Sequence, residues 1–419
     1  MDIKIEDYGM NAEGVGKIDG KIVLTNNAIV GETVEIEITQ NNKNYCISKT
    51  INIKQPSKNR VSPPCPYFEQ CGGCSLQHMN YSEQLKFKTM LVQKTLKKVA
   101  NINFNVTDCI ACDNIYNYRN KASFNFKDNK SGFFAENSNN IVEVEKCLIS
   151  SNNINKVYVL FKDFLLSTNY QQYVKNLVVK DIQNQILIGV VCTKELNLTN
   201  FYNTLTQHFK DVGLYIVINN RKDSVVLSGK VKHLFGIKEI KINNFNLTYF
   251  VDLLGFHQTN INIQNKLYNK VLEYISPNTK VVNGFSGQGL LSAIISSKAK
   301  NVVGIEINKS SHISAEKLKE NNNITNLTNI CADFNNEISK HIKNTNTIIL
   351  DPSKKGCGKE VMNKINGISN IIYISCNPIA LAKDLRELPN YEIEEAIPFD
   401  MFPNTNNVET LVKLKLKGI

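Results

Sequence analysis

The sequence predicts an α/β protein in three parts: a small N-terminal β-barrel, a central α+β region with a cysteine cluster, and a doubly wound, Rossmann-like domain. Three observations carry this. Short alternating strands crowd residues 1 to about 56; Cys65, Cys71 and Cys74 fall within one Gly/Pro-rich loop; and from residue 246 strands and helices alternate as in a βαβ series. The expected divisions are 1–57, 58–245 and 246–419, with the helix over 80–99 free to pack on the last domain.

In the first part, Asp19-Gly20 between apolar runs signals a hairpin, Val34–Ile38 alternates, and Asn41–Asn44 supplies a further turn. Four or five strands in so short a span suggest a barrel of the oligonucleotide-binding kind. A strand pattern alone is equally compatible with a structural appendage.

The second part opens with Cys65-x5-Cys71-Gly-Gly-Cys74. Gly72 and Gly73 let the backbone fold so that neighbouring sulfurs converge. Three thiolates need a fourth ligand, and Cys109, Cys112 and Cys147 are the candidates. Soft thiolates without a histidine pair suit an iron–sulfur cluster or structural zinc. The apolar positions Leu85, Met90, Leu91, Leu96 and Val99 then mark a helix. The segment Tyr116–Phe126 mixes basic and aromatic residues, which fits phosphate and base contacts or a solvated strand with an apolar reverse face.

In the third part, Ile263, Leu267, Val271 and Tyr274 share one face of a helix that follows Phe256-x-Gln258-x-Asn260. The strand Val281–Gly284 runs into Phe285-Ser-Gly287-x-Gly289, and the next strand ends on Glu306, placed to accept from both ribose hydroxyls. A dinucleotide site would want a third glycine near Ser292. Its absence favours an adenosine ligand without phosphates, of which S-adenosylmethionine is the common one. Asp351 ends a further strand beside the same crevice, while Asp333 reads equally as a helix N-cap. The apolar run Ile371–Ile374 stops at Ser375-Cys376-Asn377-Pro378, which puts a thiol where open parallel sheets bind ligands. A buried cysteine can instead be a small hydrophobe. Glu409, just before the last strand, becomes a candidate base if its turn folds back over Cys376.

A formal charge of +11 suits a polyanionic partner, nucleic acid first. No apolar run is long enough to span a membrane, and Met1–Asp7 lacks the features of a signal peptide. A cytoplasmic location with reduced thiols is expected, so clustered cysteines point to metal rather than disulfides.

Taken in order, these motifs resemble the RNA 5-methyluridine methyltransferases over nearly the whole chain. Gly14-Val-Gly16, Asp19-Gly20 and Gly31-Glu32 are similar to a TRAM domain. The three-cysteine loop with Cys147 resembles that family's 4Fe-4S motif, which selects Cys147 over Cys109 and Cys112. Tyr118-Arg119-Asn120-Lys121 resembles a segment of its central domain. The resemblance implies S-adenosylmethionine held by Gln258, Phe285, Glu306 and Asp351, with Cys376 as nucleophile and Glu409 as general base. It implies an RNA substrate, ribosomal (23S) before transfer RNA, and no obligate protein partner. The pattern is departed from at Asn283, Leu290, Ser353-Lys354-Lys355 and Asn407, which bears on cofactor affinity and RNA choice. Two other classes compete: a non-catalytic RNA-binding or assembly protein, and a cluster-dependent radical or redox enzyme. The second lacks its usual Cys-x3-Cys-x2-Cys arrangement.

Overall fold

Alternating apolar residues at the N-terminus build a six-stranded sheet, in the order Asp2–Lys4, Thr33–Asn41, Tyr45–Gln55, Lys21–Thr25, Gly14–Ile18, Asp7–Tyr8. The computed structural model describes residues 1–221 and 225–418. Asp19 and Gly20 both take positive φ (49° and 79°), which a two-residue turn matching the strand twist requires. Ile3, Ile5, Val23, Val34 and Ile36 fill the core of this sheet. Glu32 is fully buried beside it and receives two hydrogen bonds from the Arg60 guanidinium, at 2.6 and 2.7 Å.

The central region forms a seven-stranded sheet, from Lys230–Gly236 at one edge to Ile141–Glu143 at the other. The helices Asn152–Leu166 and Thr199–Thr206 share its hydrophobic core, where Phe124 stacks on Tyr158 at 3.9 Å. In the strand Lys121–Lys127, Ala122, Phe124 and Phe126 are all buried. Those two phenylalanines are therefore core residues rather than base-stacking surfaces.

The helix expected over 80–99 runs Tyr81–Ala100, capped by Asn80, whose side chain accepts from the Glu83 amide. Phe87, Leu91 and Val92 enter the same core as Leu381 and Ala382 of the helix Pro378–Arg386. It packs on that helix although the two lie far apart in sequence.

After a two-stranded hairpin, Ile240–Asn244 and Leu247–Val251, a second seven-stranded sheet has the order Leu327–Cys331, Asn301–Glu306, Lys280–Gly284, Thr347–Leu350, Asn370–Ser375, Glu409–Leu416, Tyr391–Phe399. The first five strands are mutually parallel, and Glu409–Leu416 is antiparallel to both of its neighbours. The strand order reverses beside Lys280–Gly284, which opens a crevice at the carboxyl ends. No helix among the described residues is long and apolar enough to cross a membrane.

Candidate active site

The buried run Ile371–Ile374 ends at Cys376, and Asn377 then caps the next helix by accepting from the Ile379 amide, with Pro378 in the first turn. Strand end and helix start therefore fix the thiol between them. It faces a cavity of about 570 Å³. Asp351 and Glu409 line the same cavity, as do Gln258 and Phe285. Five residues up to 151 positions apart in the chain meet here.

None of the three acidic groups is in water-like surroundings. Burial pushes the Cys376 thiol up to about 11; the Glu409 charge acts in the same direction and Lys354 against it. Burial likewise lifts Asp351 to about 7. Glu409 is held well above the usual carboxylate range, first by burial and then by Asp351. A carboxyl with a raised pKa is a better proton acceptor once ionised than an exposed one.

Phe285 takes a φ of 59°, a left-handed conformation that an aromatic residue rarely adopts, and its ring rests on Phe334 at 5.0 Å. Asn283, deeply buried in the cavity wall, donates to Ser292 Oγ at 2.8 Å, while its own Oδ1 has no partner. Gly287 also has positive φ, and a Cβ there would point into open space. An orphaned acceptor and an uncovered glycine turn leave polar room for a ligand.

Glu306 ends the strand Asn301–Glu306 as expected and lies beside the Gly287 turn. Its carboxylate accepts from the Gly287 amide at 2.9 Å and the Asn308 amide at 2.7 Å, and it is not part of the cavity lining. It braces the glycine turn from behind. Asp333 is the N-cap of Phe334–Glu337. Asn260 caps Ile261–Tyr274 and donates to the Met401 carbonyl, so it serves the frame. Tyr118 and Arg119 also line the cavity, a placement that no local pattern indicates.

Cys65, Cys71, Cys74 and Cys147 border a second cavity of about 300 Å³. Gly72 lets the loop pass close to its neighbour, since a Cβ there would lie 3.1 Å from the Glu136 backbone. Among the described residues no three His, Cys, Asp or Glu side chains are set around a single ion position. Cys109 and Cys112 are buried elsewhere, their amides bonded to Thr89 Oγ1 and Tyr81 OH, and neither borders this cavity. Gly73 and Arg119 line both cavities, so the two adjoin.

A family model described as tRNA (Uracil-5-)-methyltransferase matches residues 80–417, and one for the TRAM domain matches residues 1–51. The chain belongs to the tRNA (uracil-5-)-methyltransferase family. Uncharacterized RNA methyltransferases of Clostridium tetani and Caldanaerobacter subterraneus are 33% and 34% identical to it. The alignments cover 99% and 98% of this chain and 96% of each relative. The crystal structure of the Pyrococcus abyssi tRNA (uracil-54, C5)-methyltransferase in complex with S-adenosyl-L-homocysteine superposes with a TM-score of 0.80. It is 25% identical over 99% of both chains. The protein is thus an S-adenosylmethionine-dependent RNA (uracil-5-)-methyltransferase with an N-terminal TRAM domain.

Proposed function

We propose that this methyltransferase modifies carbon 5 of a specific uridine in RNA, ribosomal RNA first, through a covalent Cys376–uridine intermediate with Glu409 as general base. The supporting observation is that Cys376, Glu409 and Asp351 wall one cavity with Gln258 and Phe285. Carbon 5 of an intact uracil is a poor nucleophile. The Cys376 thiolate adds to carbon 6, and the ring electrons move to make carbon 5 an enolate carbon. Bound S-adenosylmethionine supplies the electrophilic methyl group for carbon 5. Glu409 then takes the carbon 5 proton, the freed electron pair closes the 5,6 double bond, and the Cys376 thiolate leaves. Gln258, Phe285, Glu306 and Asp351 hold the ligand, and Glu306 also holds the Gly287 turn in place. A uridine reaches so buried a thiol only by leaving its stack.

Cys65, Cys71, Cys74 and Cys147 are proposed to hold a 4Fe-4S cluster. Four thiols on one cavity, with no imidazole or carboxylate among them, are a donor set that suits it. Such a cluster would cross-link the loop 65–74 to the segment carrying Cys147, a structural role. The units 1–57, 58–245 and 246–419 are proposed as barrel, central RNA-binding and catalytic domains. The helix Tyr81–Ala100 is packed on the last of these.

Transfer RNA is the second reading. The Pyrococcus abyssi protein, described as a tRNA methyltransferase, aligns with 99% of this chain, so the barrel does not separate the two substrates. Transfer of labelled methyl to unmodified ribosomal and transfer RNA transcripts, followed by nucleoside analysis, tests both. The expected product is 5-methyluridine, absent with Cys376→Ala. Unchanged methylation by Cys376→Ala would refute the mechanism. Transfer to neither RNA would favour the binding-protein class.

A further inference from the structure

Between the strand Tyr391–Phe399 and Glu409 the chain passes through residues 400–408, which have no regular structure of their own. This segment is nevertheless tied down from outside the domain. Asp400 and Lys88 form an ion pair whose side chains are both fully buried, and Tyr81 OH donates to the other Asp400 oxygen at 2.8 Å. Lys88 also donates to the Phe402 carbonyl at 3.0 Å. Gln84 and Asn404 exchange two hydrogen bonds: the Asn404 amide donates to Gln84 Oε1 at 3.0 Å, and Gln84 Nε2 donates to Asn404 Oδ1 at 3.2 Å.

The next ties come from the residues directly after Cys74. The amides of Ser75 and Leu76 donate to the Asn404 carbonyl at 2.9 and 3.0 Å, and Ser75 Oγ accepts from the Asn406 amide at 2.9 Å. Asn404 itself has a φ of 68°. Burying an ion pair is costly, and it fixes geometry more surely than it adds stability. Here the fixed geometry is that of the segment leading into Glu409.

We propose that Ser75, Gln84 and Lys88 are positioning residues that set Glu409 against the carbon 5 proton, and that the cysteine loop acts on the reaction through Ser75. The inference rests on the reading of Glu409 as the base. If it holds, loosening the segment spares thiol addition and methyl transfer but slows proton removal, so the enzyme stalls as a methylated covalent adduct. General loss of fold would lower every step without trapping that species.

The experiment uses the full-length protein with its cysteine site loaded and a transcript that the wild type methylates. Ser75→Ala, Gln84→Met and the charge-neutral pair Lys88→Met with Asp400→Asn are compared with Glu409→Gln. Adduct is read on denaturing gels, methylated nucleotide by digestion, and fold by melting temperature. Expected is a drop in kcat of about tenfold or more, with KM for RNA unchanged and adduct accumulating as in Glu409→Gln. Variants that melt like the wild type but turn over normally, or slow down without adduct, overturn the proposal. Should the Lys88 pair fail to fold, Ser75→Ala, which loses one acceptor only, decides. Absence of adduct in Glu409→Gln would instead remove the base assignment, and this inference with it.

Discussion

Asp351→Asn should make the protein more stable at neutral and alkaline pH while removing its activity. Burial moves the Asp351 carboxyl from 3.8 to about 7. Each unit corresponds to about 1.4 kcal/mol, so keeping this group ionised in the fold costs about 4 kcal/mol. Below about pH 4 the group is protonated in folded and unfolded chains alike and costs nothing. Between about 4 and 7 only the unfolded chain gives up the proton, so stability falls as pH rises, and above 7 the full cost is present. A carboxamide has no proton to lose and escapes the penalty. Chemical unfolding of wild type and variant without RNA, at about pH 4.5 and pH 8, should show a gain approaching 4 kcal/mol at the higher pH and about 1 kcal/mol or less at the lower. An equal difference at both values, or a variant less stable at pH 8, would refute the assignment of a desolvated Asp351.

Two further outcomes follow from other buried charges. Burial alone would raise Glu32, but Arg60 and the Ile29 and Ser57 amides overcome it and hold the carboxyl below its usual range. Arg60→Met should therefore cost the N-terminal sheet about 3–5 kcal/mol at neutral pH, the deficit shrinking as acid protonates Glu32. Hydrogen exchange of strands within residues 1–57 reads it, and unaltered protection would contradict the pairing. A Cys376 thiol at about 11 is ionised in only about one molecule in ten thousand at pH 7. Its alkylation by iodoacetamide, mapped by mass spectrometry, should rise about tenfold per pH unit up to pH 10. A rate flat from pH 7 to 9 would show that the thiol is already ionised.

What the sequence disclosed was what local pattern and motif order can carry. The Asp19-Gly20 turn, the strand ahead of Cys376 and the Ile263, Leu267 and Val271 face follow from short-range periodicity, and the structure has them. The helix Tyr81–Ala100 instead buries Phe87, Lys88, Leu91 and Val92, leaving Leu85, Met90 and Val99 half-buried. The four cysteines of one cavity needed the family resemblance, because spacing left Cys109, Cys112 and Cys147 equal. The paired roles across the fold were not legible. Lys88 reads as one more lysine of an amphipathic helix, yet it is fully buried against Asp400, 312 positions away. Glu306 sits at a strand end like a ribose-binding acid, but its ties to the Gly287 and Asn308 amides had no signature in the sequence. Tyr118 and Arg119 reach the cavity beside Cys376 because Asn120 is tied to the Gln258 and Thr259 carbonyls, contacts with no signature in the chain order.

The physical mark of the active site is where local rules fail together. Elsewhere buried carboxylates such as Glu32 and Asp400 have cationic partners, Arg60 and Lys88. In the large cavity two desolvated carboxyls stand with each other and a thiol, an Asn283 oxygen has no partner, and an aromatic residue holds a left-handed φ. Each of these is unfavourable for folding, and strain and unpaired polarity persist only where the surrounding structure enforces them. A cationic sulfonium ligand in that cavity would favour the ionised forms of Cys376, Glu409 and Asp351 together. The same groups that weaken the empty fold would thereby shift toward their ionised forms when the ligand is bound.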